Sequence, residues 1–470
     1  MGTKIYVMTS SQDVAVVYRN IEQLTFDEYI RGMMLQFGAT PAAVDKMWRK
    51  PTSSDYLSSN DLQPNPLLKP LAHLSDGFNR QQLHPGERLD VLQNTFLGNI
   101  HKSLTWENMS PKVILSSVLG KESTRTRTVS LIAWTREVLL DGATRAFFGD
   151  ALLEIDPQLF DSFFAFDDNS WKLTYKIPRP WSTEMYASKQ KAQDALKKYF
   201  MLPKDKRPGA AWIIQTLETE MKARGIDESD ISAFLMMIYW VFVPAFVKHS
   251  RRISLLILLA YSLRYRINGN AYKLCFWILT YMLHDSNLFT SIRNEVVPAV
   301  QASTSPNDLS SRLDRCPHLD AIFHEVLRLV SSSSSIRNVQ TPITVGGKYL
   351  RAGTKVLIPY RQLHFDEDIF GSNAQSFDAE RFLRNKDLVK SSSYRPFGGG
   401  TTHCPGRFLA RREVLTFVAL VVDRFELELA GDVGTSGTAF PTLEDRKPCL
   451  GIMGPLTGED VIVKVREAKR

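Results

Sequence analysis

The stretch Arg395–Gly406, reading Arg-Pro-Phe-Gly-Gly-Gly-Thr-Thr-His-Cys-Pro-Gly, constrains this chain more than any other. A cysteine follows a glycine-rich turn and precedes Arg407–Val422, an apolar run with helical spacing. That puts the Cys404 backbone at a helix N-terminus, where unpaired N–H groups and the macrodipole favour negative charge. A thiol so placed becomes a thiolate, and a thiolate binds iron. Phe397 can cover the sulfur side of a flat cofactor. Gly400 and Gly406 permit backbone conformations and close approaches that a Cβ would block. A lone cysteine beside a turn is more often a structural thiol, so this reading depends on what accompanies it.

Four cysteines in 470 residues make no disulfide framework, and Cys275, Cys316 and Cys449 read as core or surface thiols. The length suggests two or three domains, although large single-domain enzymes also reach it. The net charge is +8 with no long basic block, which argues against nucleic acid. It fits a basic face for an acidic partner, with ordinary solvated charge as the alternative.

Along the chain, Lys4–Thr9 reads as a strand, and Ser11–Asn20, Phe26–Phe37 and Thr40–Trp48 read as short helices. Pro51–Pro85 is rich in Pro, Ser and Asn and reads as loop. Leu89, Leu92, Phe96 and Ile100 give Glu87–Met109 a helical stripe, and Leu131–Phe148 is a further helix. Phe160, Phe163, Phe164, Phe166 and Trp171 form an aromatic cluster, which is more often core than ligand box. Thr341–Ile358 alternates around Gly346-Gly347, a hairpin signal, and Phe425–Leu429 and Val461–Val465 read as closing strands. In the helix Asp320–Val330, Glu325 and Arg328 share a face at i and i+3 and can pair.

The Cys404 stretch resembles the haem loop of cytochromes P450, Phe-x-x-Gly-x-x-x-Cys-x-Gly, whose places are filled by Phe397, Gly400, Cys404 and Gly406. Glu325-x-x-Arg328, followed by Arg381 in Phe-Asp-Ala-Glu-Arg-Phe, is similar to the family's buried Glu-Arg-Arg triad. The resemblance implies a mainly α fold with small β-sheets in one domain over residues 1–470, and haem b on an axial thiolate from Cys404. It implies electrons from NADPH through a cytochrome P450 reductase, a hydrophobic small-molecule substrate, and a monomer that binds no nucleic acid. Arg337 is the expected partner of a haem propionate. His101 or Lys102, on a helix expected beside the haem, are further candidates. Many members carry Arg or His two residues before the cysteine; here Thr402 stands there, with His403 next as a substitute. Relatives carry an N-terminal anchor in the endoplasmic reticulum membrane and a preceding strand, both missing here. The chain as written would be soluble, and the resemblance implies a true start further upstream.

The family's long central helix should cross the haem face opposite Cys404. Its halves are legible as Ala233–Val241 and Asn268–Leu283, separated by Phe242–Arg266, 25 residues with Pro244 and a Lys-His-Ser-Arg-Arg turn. Neither continues a buried helix. Without those residues the text runs on as one helix, resembling prostacyclin synthase and cholesterol 7α-hydroxylase. Val and Arg codons can supply the GT and AG ends of an intron, so Phe242–Arg266 reads as a translated intron, with a real surface loop as the alternative. At the oxygen-binding face the family's acid-Thr pair is replaced by Asn270-Ala271, neither an ordinary proton donor. Three functions follow from the resemblance. One is hydroxylation of a terpenoid, sterol or polyketide in fungal secondary metabolism. Another is reductase-independent isomerisation or dehydration of a peroxide or epoxide. The last is an inactive product of a faulty gene model.

Overall fold

A computed structural model describes residues 4–52, 62–118, 125–240, 270–430, 439–449 and 451–469. The suspected insert, residues 242–266, lies outside them.

Helices make up most of the described chain, with two four-stranded sheets and a hairpin at the periphery. In the first sheet, Ile5–Val7 runs parallel to Lys355–Pro359, which pairs with Ser334–Val339 and, beyond it, Leu24–Thr25. The second orders Ile114–Val118, Thr126–Ser130, Ile462–Glu467 and Phe425–Leu429, all antiparallel. The hairpin joins Ile343–Val345 to Lys348–Leu350 across Gly346-Gly347. A mainly α protein with small sheets is therefore what forms.

The core is helical. Ala271–Leu283 buries residues all round its circumference, from Tyr272 to Trp277 and Met282, as a helix surrounded by others must. It packs against Leu131–Phe148, Pro317–Val330 and Arg407–Arg424. Leu131–Phe148 forms as read, with the Ser130 hydroxyl accepting the Ala133 N–H at its start.

One expected loop is a helix. Within Pro51–Pro85, Leu71–Leu83 is helical and buries Leu71, Phe78 and Leu83. It also buries Asn79 and Gln82, and Gln82 Nε2 donates to Arg88 O. Those amides sit on the inward face and interrupt its apolar stripe, which hid the helix among polar neighbours. The aromatic cluster is largely core: Phe163 and Phe166 are buried, Phe163 against the Tyr239 ring and Phe166 against Phe37 and Trp240. Cys275 and Cys316 are buried free thiols and Cys449 is half-buried. No helix among the described residues is long and apolar enough to cross a membrane.

Candidate active site

The Cys404 loop is a tight frame. Arg395 O accepts the Gly398 N–H at 3.0 Å, and Phe397 O accepts the Cys404 N–H at 3.0 Å. Gly400 has φ +62°, and a Cβ there would stand 2.7 Å from the Tyr18 ring, so no other residue fits without moving Tyr18. Gly406 differs from expectation. Its φ is −76°, and its nearest neighbour for an added Cβ is Cys404 Sγ at 3.7 Å, an ordinary contact. A Cβ would intrude instead on the cavity that Gly406 lines. Cys404 is 5% exposed, three residues ahead of the helix Arg407–Arg424.

Cys404 and Phe397 form part of one wall of a partly open cavity that holds about 840 Å³ of empty space when open solvent is counted. Leu409, Ala410, Glu413 and Val414 continue that wall along the following helix. Asn270, Ala271 and Leu274 line it from the central helix, with Leu83, Phe147, Leu327, Ser331, Ser333, Gly451 and Ile452 around it. The lining is mostly apolar, with Cys404 its one thiol. Ser331 and Ser333 add hydroxyls to that lining.

Asn270 stands at the N-terminal end of Ala271–Leu283, and its Oδ1 accepts the Ile452 N–H at 2.9 Å. A Cβ on Gly451 would be 2.2 Å from that oxygen. The 451–453 turn is clasped from two sides: Trp277 Nε1 donates to Met453 O, and Met453 N donates to Val330 O. The Asn270 oxygen is therefore committed to the backbone that closes the cavity.

Glu325, Arg328 and Arg381 meet as one buried cluster. Arg328 donates from Nε and Nη2 to the two Glu325 oxygens at 2.9 and 2.8 Å, and Arg381 Nε reaches both at 3.2 Å. The Asp378 N–H adds a third donor to Glu325. The remaining guanidinium hydrogens go to backbone carbonyls, Arg328 to His364, Ala374 and Ser376, and Arg381 to Phe370, Asn373 and Ser376, with Arg381 Nη1 also donating to Asn373 Oδ1. Buried charges satisfied this completely form a rigid unit.

Arg337 is 2% exposed on the strand Ser334–Val339 and donates to Thr402 Oγ1 at 2.7 Å and to Ser335 Oγ at 2.5 Å. The strand arginine and the threonine two residues before Cys404 are thus joined directly. His403 is exposed, at the outer side of the loop. His101 requires correction: it does not line the cavity. Its Nδ1 takes a hydrogen bond from Arg424 at 2.7 Å, at the far end of the helix that begins beside Cys404. Burial, then the Arg424 charge, push its pKa down to about 4. The error began with the unseen helix: Leu71–Leu83 brings Leu83 to the cavity, whereas Glu87–Ser103 carries His101 elsewhere.

Sequence reasoning missed Glu413. It is 4% exposed and lines the cavity, and burial pushes its carboxyl up to about 8. The available signal was an acid inside the apolar run Phe408–Val422.

Fold and site define a mainly helical protein with one cysteine on the wall of a buried apolar slot, a setting that suits a planar iron cofactor. The slot is apolar where a macrocycle would lie, a buried arginine stands beside the cysteine loop, and Gly406 keeps the slot open. The family described as "Cytochrome P450" matches residues 274–439. "Cholesterol 7-alpha-monooxygenase" of Cricetulus griseus is 30% identical over 220 residues, 42% of this chain and 43% of that protein. "Cytochrome P450 monooxygenase poxD" of Penicillium oxalicum is 21% identical over 91% of this chain and 78% of that protein. The solved structure "Retinoic acid bound cyanobacterial CYP120A1" has the same fold, with a TM-score of 0.63 and 16% identity over 99% of this chain and 90% of that one. The family match and these likenesses support a cytochrome P450, a family whose members hold haem on a cysteine thiolate.

Proposed function

We propose that this chain is a haem-thiolate monooxygenase that hydroxylates a hydrophobic small molecule, a terpenoid, sterol or polyketide of fungal secondary metabolism. The observation that carries this is the cavity bounded by Cys404 on one side and by Asn270, Ala271 and Leu274 on another. Apolar walls select an apolar substrate and exclude water. Cys404 would ligate the iron, Arg337 would meet a propionate, and the Glu325–Arg328–Arg381 cluster would hold the loop in register. Haem b, when bound, would supply the redox chemistry in which substrate, dioxygen, NADPH and a proton give the hydroxylated product, water and NADP⁺. NADPH-cytochrome P450 reductase would deliver the electrons at the endoplasmic reticulum membrane. The names of the Cricetulus griseus and Penicillium relatives support a monooxygenase reaction, and the former's supports a sterol-like substrate.

A second reading is favoured by Asn270-Ala271. Neither residue titrates, and the Asn270 oxygen is held by the Ile452 N–H. Such a wall suits isomerisation or dehydration of a peroxide or epoxide, which needs no electrons. Purified holoprotein assayed with and without NADPH and reductase separates the two. Turnover that requires both supports the monooxygenase, and turnover of a hydroperoxide without either supports the rearrangement.

We also propose that Glu228–Trp240 and Ala271–Leu283 are halves of one helix in the working protein, with residues 242–266 removed at the transcript. Asp167 supports this. It accepts Trp240 Nε1 at 2.8 Å and Tyr272 OH at 3.3 Å, so side chains from both helices converge on one buried carboxylate. In the spliced text those residues are seven apart, two turns along the same face. Sequencing the transcript across Val241–Ile267 decides it: an intact reading frame through the segment leaves only a real insert or an inactive product.

A further inference from the structure

The Glu325 cluster and the Cys404 loop do not touch through the ion pairs themselves. The connection runs through His364, which is fully buried at the end of the short helix Tyr360–His364. Its Nδ1 lies 3.1 Å from Arg328 O, and its Nε2 accepts the Arg395 N–H at 3.0 Å. A ring nitrogen that accepts a backbone N–H carries no proton, so the other nitrogen holds the proton and donates it to Arg328 O. The His364 carbonyl in turn accepts Arg328 Nη1 at 2.9 Å. Arg395 opens the loop: its carbonyl holds the Gly398 N–H, and the Phe397 carbonyl holds the Cys404 N–H.

We propose that His364 is the positioning residue of this site, its neutral imidazole registering the cysteine loop against the Glu325–Arg328–Arg381 cluster. A hydrogen-bonded path then leads from Glu325 through Arg328 and the imidazole to the Arg395 N–H, and on through the turn to the Cys404 backbone. The chemistry restricts what can stand here. The side chain must donate on one side, accept on the other, and span the gap rigidly; neutral histidine does all three. Burial, together with the charges of Arg328 and Arg361, pushes its pKa down to about 3, so the ring stays neutral across the working pH range. The Tyr394 ring, 5.7 Å away, packs beside it. This extends the proposed haem-thiolate reading, because the loop that it registers carries the proposed ligand.

The test uses full-length holoprotein bearing His364→Phe, His364→Gln or His364→Asn. Two quantities are read: amide hydrogen exchange, resolved by peptide, and the thiolate-versus-thiol signature of the ferrous–CO spectrum. In H364F, exchange across residues 395–406 should rise on the order of tenfold, as expected for one lost buried hydrogen bond. The helix Pro317–Val330 should keep its protection, and the thiolate fraction should fall. H364Q, with a donor and an acceptor at similar reach, should restore most of the loop protection, and the shorter H364N should restore less. The proposal is overturned if H364F leaves the loop as protected as wild type, or loosens the 317–330 helix equally. Should H364F not fold, equal protection in H364Q and H364N overturns it. Wild-type protein without a thiolate spectrum would instead defeat the functional reading, while the exchange comparison would still report on the path.

Discussion

The two walls of the cavity are built by opposite means. On the Cys404 side, a short loop is held by a hydrogen-bonded turn, by the Tyr18 ring against Gly400, by Arg337 on Thr402, and by His364 on Arg395. Behind it stands an ionic cluster in which three donor groups converge on Glu325. On the central-helix side, the wall is the first turn of Ala271–Leu283, fastened to the 451–453 turn through Asn270 and Trp277. The first wall holds Cys404, the proposed ligand, by fixed polar geometry. The second is mostly packing, and Asn270 and Ala271, at the proposed reacting face, are unlike the family's pair. A fold of this kind can keep its cofactor grip constant while the opposite surface sets the chemistry.

Breaking the first wall at its centre should have the largest effect. Cys404→Ala is expected to abolish the thiolate signature of the ferrous–CO complex entirely, and a variant that keeps the signature refutes the proposed ligation. The second wall is next. Protein lacking residues 242–266 should bind several-fold more haem per chain than the chain with them, measured by pyridine haemochrome against protein concentration; equal loading would mean that the segment does not disturb this wall. Glu325→Ala leaves two buried guanidinium groups without their carboxylate and should cost about 3–5 kcal/mol in denaturant unfolding. A loss below about 1 kcal/mol would show that the cluster does not brace the loop.

Glu413 lies where the walls approach, and its effect is a pH slope. Its folded pKa of about 8 stands above the ordinary 4.5. Between those values the unfolded chain releases a proton that the folded chain keeps, so stability falls as pH rises. Glu413→Gln should flatten that slope by up to about 1.4 kcal/mol per pH unit. Unfolding free energies measured from pH 5 to pH 8 check this, and parallel curves for the two proteins would reject it. The smallest effect belongs to Asn270→Ala, which frees the Ile452 N–H. About 1 kcal/mol of stability should be lost, with the thiolate signature unchanged; loss of that signature would mean that the two walls are not separable.

How much was legible follows the same division. Cys404, its glycines and the Glu325–Arg328 spacing are local, because a turn and a helical face are defined within a few residues. Leu71–Leu83 was not legible, since buried Asn79 and Gln82 break its apolar stripe and the Gln82 oxygen takes the N–H of distant Ile213. His101 was misplaced for the same reason: which helix passes the cavity depends on packing rather than on periodicity.

By itself the sequence determined the class of site, because a cysteine ahead of an apolar helix and a Glu-x-x-Arg pair carry their chemistry at fixed short spacing. Only the tertiary structure decided that Arg337 reaches Thr402, that His364 joins the ionic cluster to the loop, and that Glu413 is buried on the cavity wall. Each of these joins residues from separate parts of the chain or depends on what surrounds a side chain in the folded state. Burial and distance between remote segments arise from packing the whole core, and no local pattern encodes them.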